Sequence, residues 1–145
     1  MKRLFFIILT AAALSSGSVI ILPAAHAAED VKGEHVVAYY FHGAMRCPTC
    51  HKLEQYSKEA IDSNFKDALR SGKLEFKEVN IENSGNEHYA NDYQLYTKSL
   101  ILSLVKDGKE VKWKNLDKIW ERVRNKEGFI DYVKSEVADF LKEIK

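Results

Sequence analysis

The chain has 145 residues, of which 46% are hydrophobic and 30% charged, so it is long enough for one modest domain with its own core. Its 22 Lys and Arg residues nearly balance its 21 Asp and Glu residues, which gives no electrostatic basis for binding nucleic acid or an anionic membrane surface. The two cysteines, Cys47 and Cys50, would close too short a loop to make a useful scaffold disulfide, so we expect them to be reactive or to bind a ligand.

The first 27 residues have the three parts of a secretory signal peptide. Lys2 and Arg3 provide a positive start, an apolar stretch begins at Leu4, and residues 25–27 read Ala-His-Ala. Serines and a glycine interrupt the apolar stretch, which favours cleavage after Ala27 over the alternative of an N-terminal membrane anchor. We therefore predict a periplasmic or otherwise extracytoplasmic protein, with a net charge near −1 once Lys2 and Arg3 are removed.

The domain is predicted to span residues 36–145, after a short charged leader at residues 28–35. Its first six residues, Val-Val-Ala-Tyr-Tyr-Phe, are a continuous run of apolar and β-forming side chains. Such a run is typical of a strand that is buried on both faces.

A helix is predicted to begin near Pro48, because proline fits the first turn, where its missing N–H costs nothing. Apolar residues then recur at near-helical spacing until Ser71 and Gly72 end the pattern. A break is expected near residues 62–64, where the sequence reads Asp-Ser-Asn.

The rest of the chain completes an alternating pattern of strands and helices. The predicted elements are a strand at 74–81, a short helix at 87–96, a strand at 99–105, a hairpin turn at 106–109, a strand at 110–113 and a final helix from 126. The order β-α-β-α-β-β-α predicts an α/β fold, with a mixed central sheet flanked by helices.

Several aromatic residues are expected to pack rather than to form a ligand site. Tyr89, Tyr93 and Tyr96 are three or four residues apart, which predicts one packed helical face. Trp113 and Trp120 are expected to cover the sheet edge and the hinge into the final helix.

The domain resembles the thioredoxin fold. The sequence Cys47-Pro48-Thr49-Cys50 opens the helix after the first strand, the element order is that of the minimal thioredoxin core, and residues 105–109 resemble its β-hairpin. The resemblance covers nearly all of residues 36–145, and a Cys-x-x-Cys at a strand-to-helix junction is fairly specific. It implies a thiol–disulfide oxidoreductase whose only redox group is the disulfide itself, with no added cofactor and no metal.

A helix start supplies unpaired N–H groups and partial positive charge, which stabilise a thiolate. Cys47, the more exposed of the pair at this position, is therefore predicted to attack, and Cys50 to be the shielded resolving thiol. Arg46 and protonated His51 are predicted to support the Cys47 thiolate; the alternative is that both are solvated surface residues.

The sequence departs from the thioredoxin pattern at two places. The family has a cis-proline before the third strand, where residues 97–101 of this chain read Thr-Lys-Ser-Leu-Ile, so we predict a trans loop and an altered substrate groove at Ser99 and Leu100. The family also has a buried acid in the first strand, whereas here His42 is the nearest titratable group. Both departures favour a dedicated protein partner over general disulfide reduction.

Residues 39–43, Tyr-Tyr-Phe-His-Gly, followed by Arg46 and the Cys pair, also resemble small exported proteins described as subunits of nitrophenyl-compound nitroreductases in arsenical-resistance clusters. This resemblance implies electron delivery to a protein thiol or disulfide partner, for which a membrane redox protein is one candidate. The domain itself is predicted to be a monomer that does not bind nucleic acid.

Two alternatives remain open from the sequence. Residues 47–51 also read Cys-x-x-Cys-His, the attachment signature of c-type haem, in which His51 would bind the iron. The cysteines with His51 and His42 could instead hold a thiophilic ion such as copper or trivalent arsenic, although structural zinc normally needs four ligands.

Overall fold

The computed structural model describes residues 33–144. The predicted signal peptide, with its cleavage site, and most of the leader lie outside these residues. Within the described part of the chain, no helix is long and apolar enough to cross a membrane.

The strands and helices follow the predicted order, with one addition. They are β1 (Glu34–His42), α1 (Pro48–Asn64), α2 (Lys66–Arg70), β2 (Leu74–Asn80), α3 (His88–Asp92), β3 (Ser99–Lys106), β4 (Lys109–Asn115), α4 (Ile119–Arg122) and α5 (Lys126–Leu141). The short helix α4 was not predicted, because four residues are too few to show a helical period.

The four strands form one mixed sheet in the order β2-β1-β3-β4. β1 pairs in parallel with β2 and antiparallel with β3, and β3 pairs antiparallel with β4. Helix α1 crosses between the parallel pair, as a parallel connection requires, and the hairpin places β4 at the edge. The predicted α/β class and thioredoxin-like fold are confirmed by this strand order and pairing.

The main core lies on one face of the sheet, under α1, α4 and α5. Tyr40 from β1, Leu53 from α1 and Phe129 from α5 are fully buried there. The other face carries a smaller cluster under α3, in which Phe41, Tyr93 and Ile101 are buried. β1 is therefore covered on both faces, as its apolar run predicts.

One predicted boundary was wrong, and one predicted break is confirmed. β1 begins at Glu34, so Glu34 and His35 belong to the sheet and not to the leader; Glu34 pairs with Lys106 of β3. The break in the first helix predicted near residues 62–64 is confirmed, because α1 ends at Asn64 and α2 begins at Lys66.

The predicted packed face of three tyrosines is formed by two of them. α3 ends at Asp92, and Tyr89 and Tyr93 pack with their ring centroids 6.0 Å apart. Tyr96 lies beyond the helix and is 94% exposed. The turn residues Gln94, with φ 51°, and Leu95 redirect the chain before Tyr96, so the helical spacing no longer applies.

Candidate functional site

The two cysteines lie at the start of α1, directly after the loop that leaves the central strand. Cys47 is the N-cap residue and Pro48 occupies the first turn, as predicted. The Sγ atoms of Cys47 and Cys50 are bonded to each other, with their Cα atoms 5.0 Å apart. Proline fits here because an N–H at this position would have no helical partner.

The environments of the two sulfurs differ. Cys47 is exposed, whereas Cys50 is only 3% exposed. The backbone N–H of Cys50 donates to Cys47 Sγ at 3.1 Å, and no acidic residue lies in the first turn of α1. In the reduced protein, this N–H and the helix dipole would stabilise negative charge on the accessible sulfur. The geometry therefore suits Cys47 to attack and Cys50 to resolve.

Tyr40, on the central strand β1, holds the backbone of Cys50 in place through a hydrogen bond. Its side chain is fully buried, and its hydroxyl donates to the backbone carbonyl of Cys50 at 2.8 Å. Burial raises the pKa of Tyr40 to about 12, against a smaller opposing effect of Arg46, so the hydroxyl stays a donor at neutral pH. The alternation of β1 places Tyr40 on the α1 side of the sheet, which was a sequence signal for this contact.

Arg46 is placed beside the pair, but its charge is compensated. Its guanidinium forms an ion pair with Glu54 of α1, and both side chains are largely buried. No sequence pattern indicates Glu54 as a partner of Arg46, because the two residues are brought together only by the loop that precedes the helix. The support of the Cys47 thiolate by Arg46 stays a prediction, and Glu54 must weaken it.

The two histidines lie on opposite sides of the pair in sequence. His51 is exposed on α1, and its backbone N–H donates to the carbonyl of Cys47 at 3.1 Å. His42 ends β1 with Nδ1 2.9 Å from the carbonyl oxygen of Gly43. The supporting roles of both remain predictions.

The loop before β3 faces the same end of the sheet as the cysteines, because Ser99 pairs with Phe41 at the end of β1. All peptide bonds of the described residues are trans, as expected for this loop. Ser99 and Leu100 are the first residues of β3 and are buried. Their side chains are therefore out of a substrate's reach, and the exposed residues of this segment are Tyr96 and Thr97.

A small cavity of about 160 Å³ separates this loop from the end of β1. It is lined on one side by His42 and Gly43 and on the other by Tyr96, Thr97 and Lys98. The described residues contain no group of three or more His, Cys, Asp or Glu side chains placed to hold a metal ion.

No protein-family model and no curated protein matches this sequence. Among solved structures, the chain is similar to a thioredoxin from Fasciola hepatica, with 17% identity, 79% of this chain and 84% of that chain covered, and a TM-score of 0.42. It is also similar to Trxlp from Edwardsiella tarda, with 18% identity, 77% and 84% coverage and a TM-score of 0.41. For oxidized thioredoxin O2 from Arabidopsis thaliana, the corresponding values are 15%, 61%, 74% and 0.38.

These likenesses are weak, and the fold class follows instead from the strand order and pairing described above. On that fold, a Cys-x-x-Cys pair at disulfide distance opens the helix after the central strand. This arrangement fits a thiol–disulfide oxidoreductase.

Proposed function

We propose that the protein is an exported thiol–disulfide oxidoreductase or electron-transfer subunit that serves a dedicated protein partner through Cys47 and Cys50. The observation that carries this proposal is the unequal exposure of two bonded cysteine residues at a helix start, with Cys47 exposed and Cys50 3% exposed. A purely structural disulfide would need no such asymmetry, whereas a two-step exchange does. One sulfur must be accessible to the partner, and the other must be shielded until it attacks the mixed disulfide.

The exchange balances as two thiol–disulfide displacements. The Cys47 thiolate attacks one sulfur of the partner's disulfide, that bond breaks, and a mixed disulfide forms as the first partner thiol leaves. Cys50 then attacks Cys47 Sγ, restores the Cys47–Cys50 bond and releases the second partner thiol. Two electrons pass to the partner, and the reverse sequence oxidises a partner dithiol.

Two exposed hydrophobic residues near the cysteines support a protein partner. Met45, in the loop before Cys47, is 83% exposed, and Tyr96, in the loop before β3, is 94% exposed. Both loops are at the same end of the sheet, since Phe41 pairs with Ser99. Exposed Met and Tyr beside a reactive site are typical of a surface that another protein covers.

Export is proposed from the first 27 residues, which lie outside the described part of the chain. An extracytoplasmic location suits the chemistry, because protein disulfides persist in oxidising compartments. Within this proposal, the resemblance to nitroreductase-associated subunits makes electron delivery to a larger redox complex the more specific function.

The test is to trap the partner. In cells expressing Cys50→Ser, Cys47 can attack but cannot be resolved, so a mixed disulfide with the partner should accumulate and disappear on reduction. Cys47→Ser is the matched control and should trap nothing. Absence of any mixed disulfide with Cys50→Ser, under conditions where the wild-type pair cycles, would contradict a protein partner.

The intact mass of the protein from its native periplasm tests the redox group and the export together. We expect the mass of residues 28–145, with two alkyl groups added only after reduction. A haem-sized addition that survives denaturation would support the c-type haem alternative, and a retained thiophilic ion in a native spectrum would support a carrier.

A further inference from the structure

A second, larger cavity begins at Thr49, between the two cysteines in sequence, and runs along α1. Its volume is about 380 Å³, and it lies between the first three turns of α1 and the segment around α4. It is lined by Thr49, Lys52, Tyr56, Trp120, Val123 and Arg124. Because Thr49 stands between the two cysteines, a chain that reaches Cys47 is beside this cavity.

The walls of the cavity are fixed by contacts to the rest of the fold. The Nε1–H of Trp120 donates to the carbonyl of Lys98 at 2.9 Å, which ties the α4 segment to the loop before β3. On the opposite wall, the ring of Tyr56 packs edge-on against Phe129 of the core, with centroids 5.6 Å apart. The cavity is therefore held open by anchored aromatic side chains.

The charge of the lining is wholly positive. Lys52 and Arg124 are its two charged residues, and neither forms an ion pair with another of the described residues. The three carboxylates of α1 are already paired, Glu54 with Arg46, Glu59 with Lys126 and Asp62 with Lys58. The two cations are thus left for an external anion.

We propose that this cavity is a recognition groove for an acidic peptide segment next to the partner's reactive cysteine, an inference that rests on the proposed function. Carboxylates of the segment would meet Lys52 on α1 and Arg124 beyond α4, and its carbon chain would lie against Tyr56 and Trp120. Arg124 can hold a carboxylate with two parallel hydrogen bonds. The charge complementarity selects the partner, while the cysteines supply the chemistry.

The test uses two synthetic peptides that differ only in charge. Each carries one cysteine activated as a neutral thiopyridyl disulfide and flanked by either two Glu or two Lys residues. The reduced protein should react about tenfold faster with the acidic peptide at low salt, the effect of two exposed ion pairs. The ratio of the two rates should approach one as added salt screens the charges.

Charge reversal at the groove should invert the preference. In the double variant Lys52→Glu with Arg124→Glu, we expect the basic peptide to react faster. Using the ratio of rates within each protein cancels any effect of Lys52 on the reactivity of the nearby cysteines. Lys109→Glu is the matched control, because Lys109 lies at the hairpin, at the opposite end of the sheet from the cysteines, and its ratio should equal that of the wild type.

The outcomes separate this inference from the proposed function. Equal rates for the two peptides at low salt, together with normal exchange with uncharged hydroxyethyl disulfide, would overturn the groove alone. Failure to exchange with any of these disulfides would overturn the oxidoreductase function and the groove with it. Equal rates in the wild type overturn the groove even if the double variant does not fold.

Discussion

Removing the Tyr40 hydroxyl should destabilise the protein at neutral pH and have the opposite effect at high pH. In Tyr40→Phe, the buried hydrogen bond to the Cys50 carbonyl, 2.8 Å long in the wild type, is lost. A net intramolecular hydrogen bond contributes about 1 kcal/mol. We therefore expect the free energy of unfolding at pH 7 to fall by about 1 kcal/mol, with the ring still filling its place in the core.

The pH dependence follows from the raised pKa. Burial, the main cause, raises the pKa of Tyr40 to about 12 in the folded protein, from an ordinary value of 10.0. Below pH 10 the hydroxyl is protonated in both states, so the full stabilisation is present. Between pH 10 and 12 the unfolded chain ionises while the folded protein resists, so stability is lost as the pH rises, by roughly 2–3 kcal/mol in total.

Tyr40→Phe cannot undergo this loss, so the stabilities of wild type and variant should cross between pH 10 and 12. Urea titrations of both oxidised proteins from pH 7 to 12 measure the difference. The other tyrosines with raised pKa values, Tyr39, Tyr93 and Tyr132, are common to both proteins and cancel. Tyr96→Phe is the matched control: its hydroxyl is on a 94% exposed residue, so we expect a change below about 0.5 kcal/mol. A difference between wild type and Tyr40→Phe that stays constant with pH would refute the reasoning.

Two further substitutions test the site and the core. Glu54→Gln removes the partner of Arg46 and leaves an uncompensated cation beside Cys47. Iodoacetamide should therefore alkylate Cys47 of the reduced protein several-fold faster, whereas Arg46→Met should slow the reaction. Equal rates in both variants would show that this ion pair does not influence the thiolate. Leu53→Ala removes a fully buried side chain of α1 and should lower the free energy of unfolding, measured by urea denaturation, by about 2–5 kcal/mol. Gln55→Ala, at an exposed position of the same helix, is the control. A loss below about 1 kcal/mol in Leu53→Ala would contradict the packing of α1 on the sheet.

The sequence alone predicted the features that depend on neighbouring residues. The apolar run of β1, the proline after Cys47 and the Asp107-Gly108 turn each encode a local backbone conformation, and the structure has all three. The strand–helix order then leaves few topologies, so the thioredoxin-like sheet and the position of the cysteines at the start of a helix were predictable. The export of the protein stays a prediction from its first 27 residues.

Tertiary structure decided which residues surround the cysteines. The Arg46–Glu54 contact and the tie between Trp120 and Lys98 join residues 8 and 22 positions apart, and no periodic pattern in the sequence encodes such pairs. The alternation of β1 turns Tyr40 toward α1 but does not by itself place its hydroxyl at the Cys50 carbonyl. The exposure of Tyr96 was also decided at this level, because the chain leaves the helical path before it. Local sequence fixes backbone conformation residue by residue, whereas the charge and shape around a site depend on elements that meet only when the core has closed.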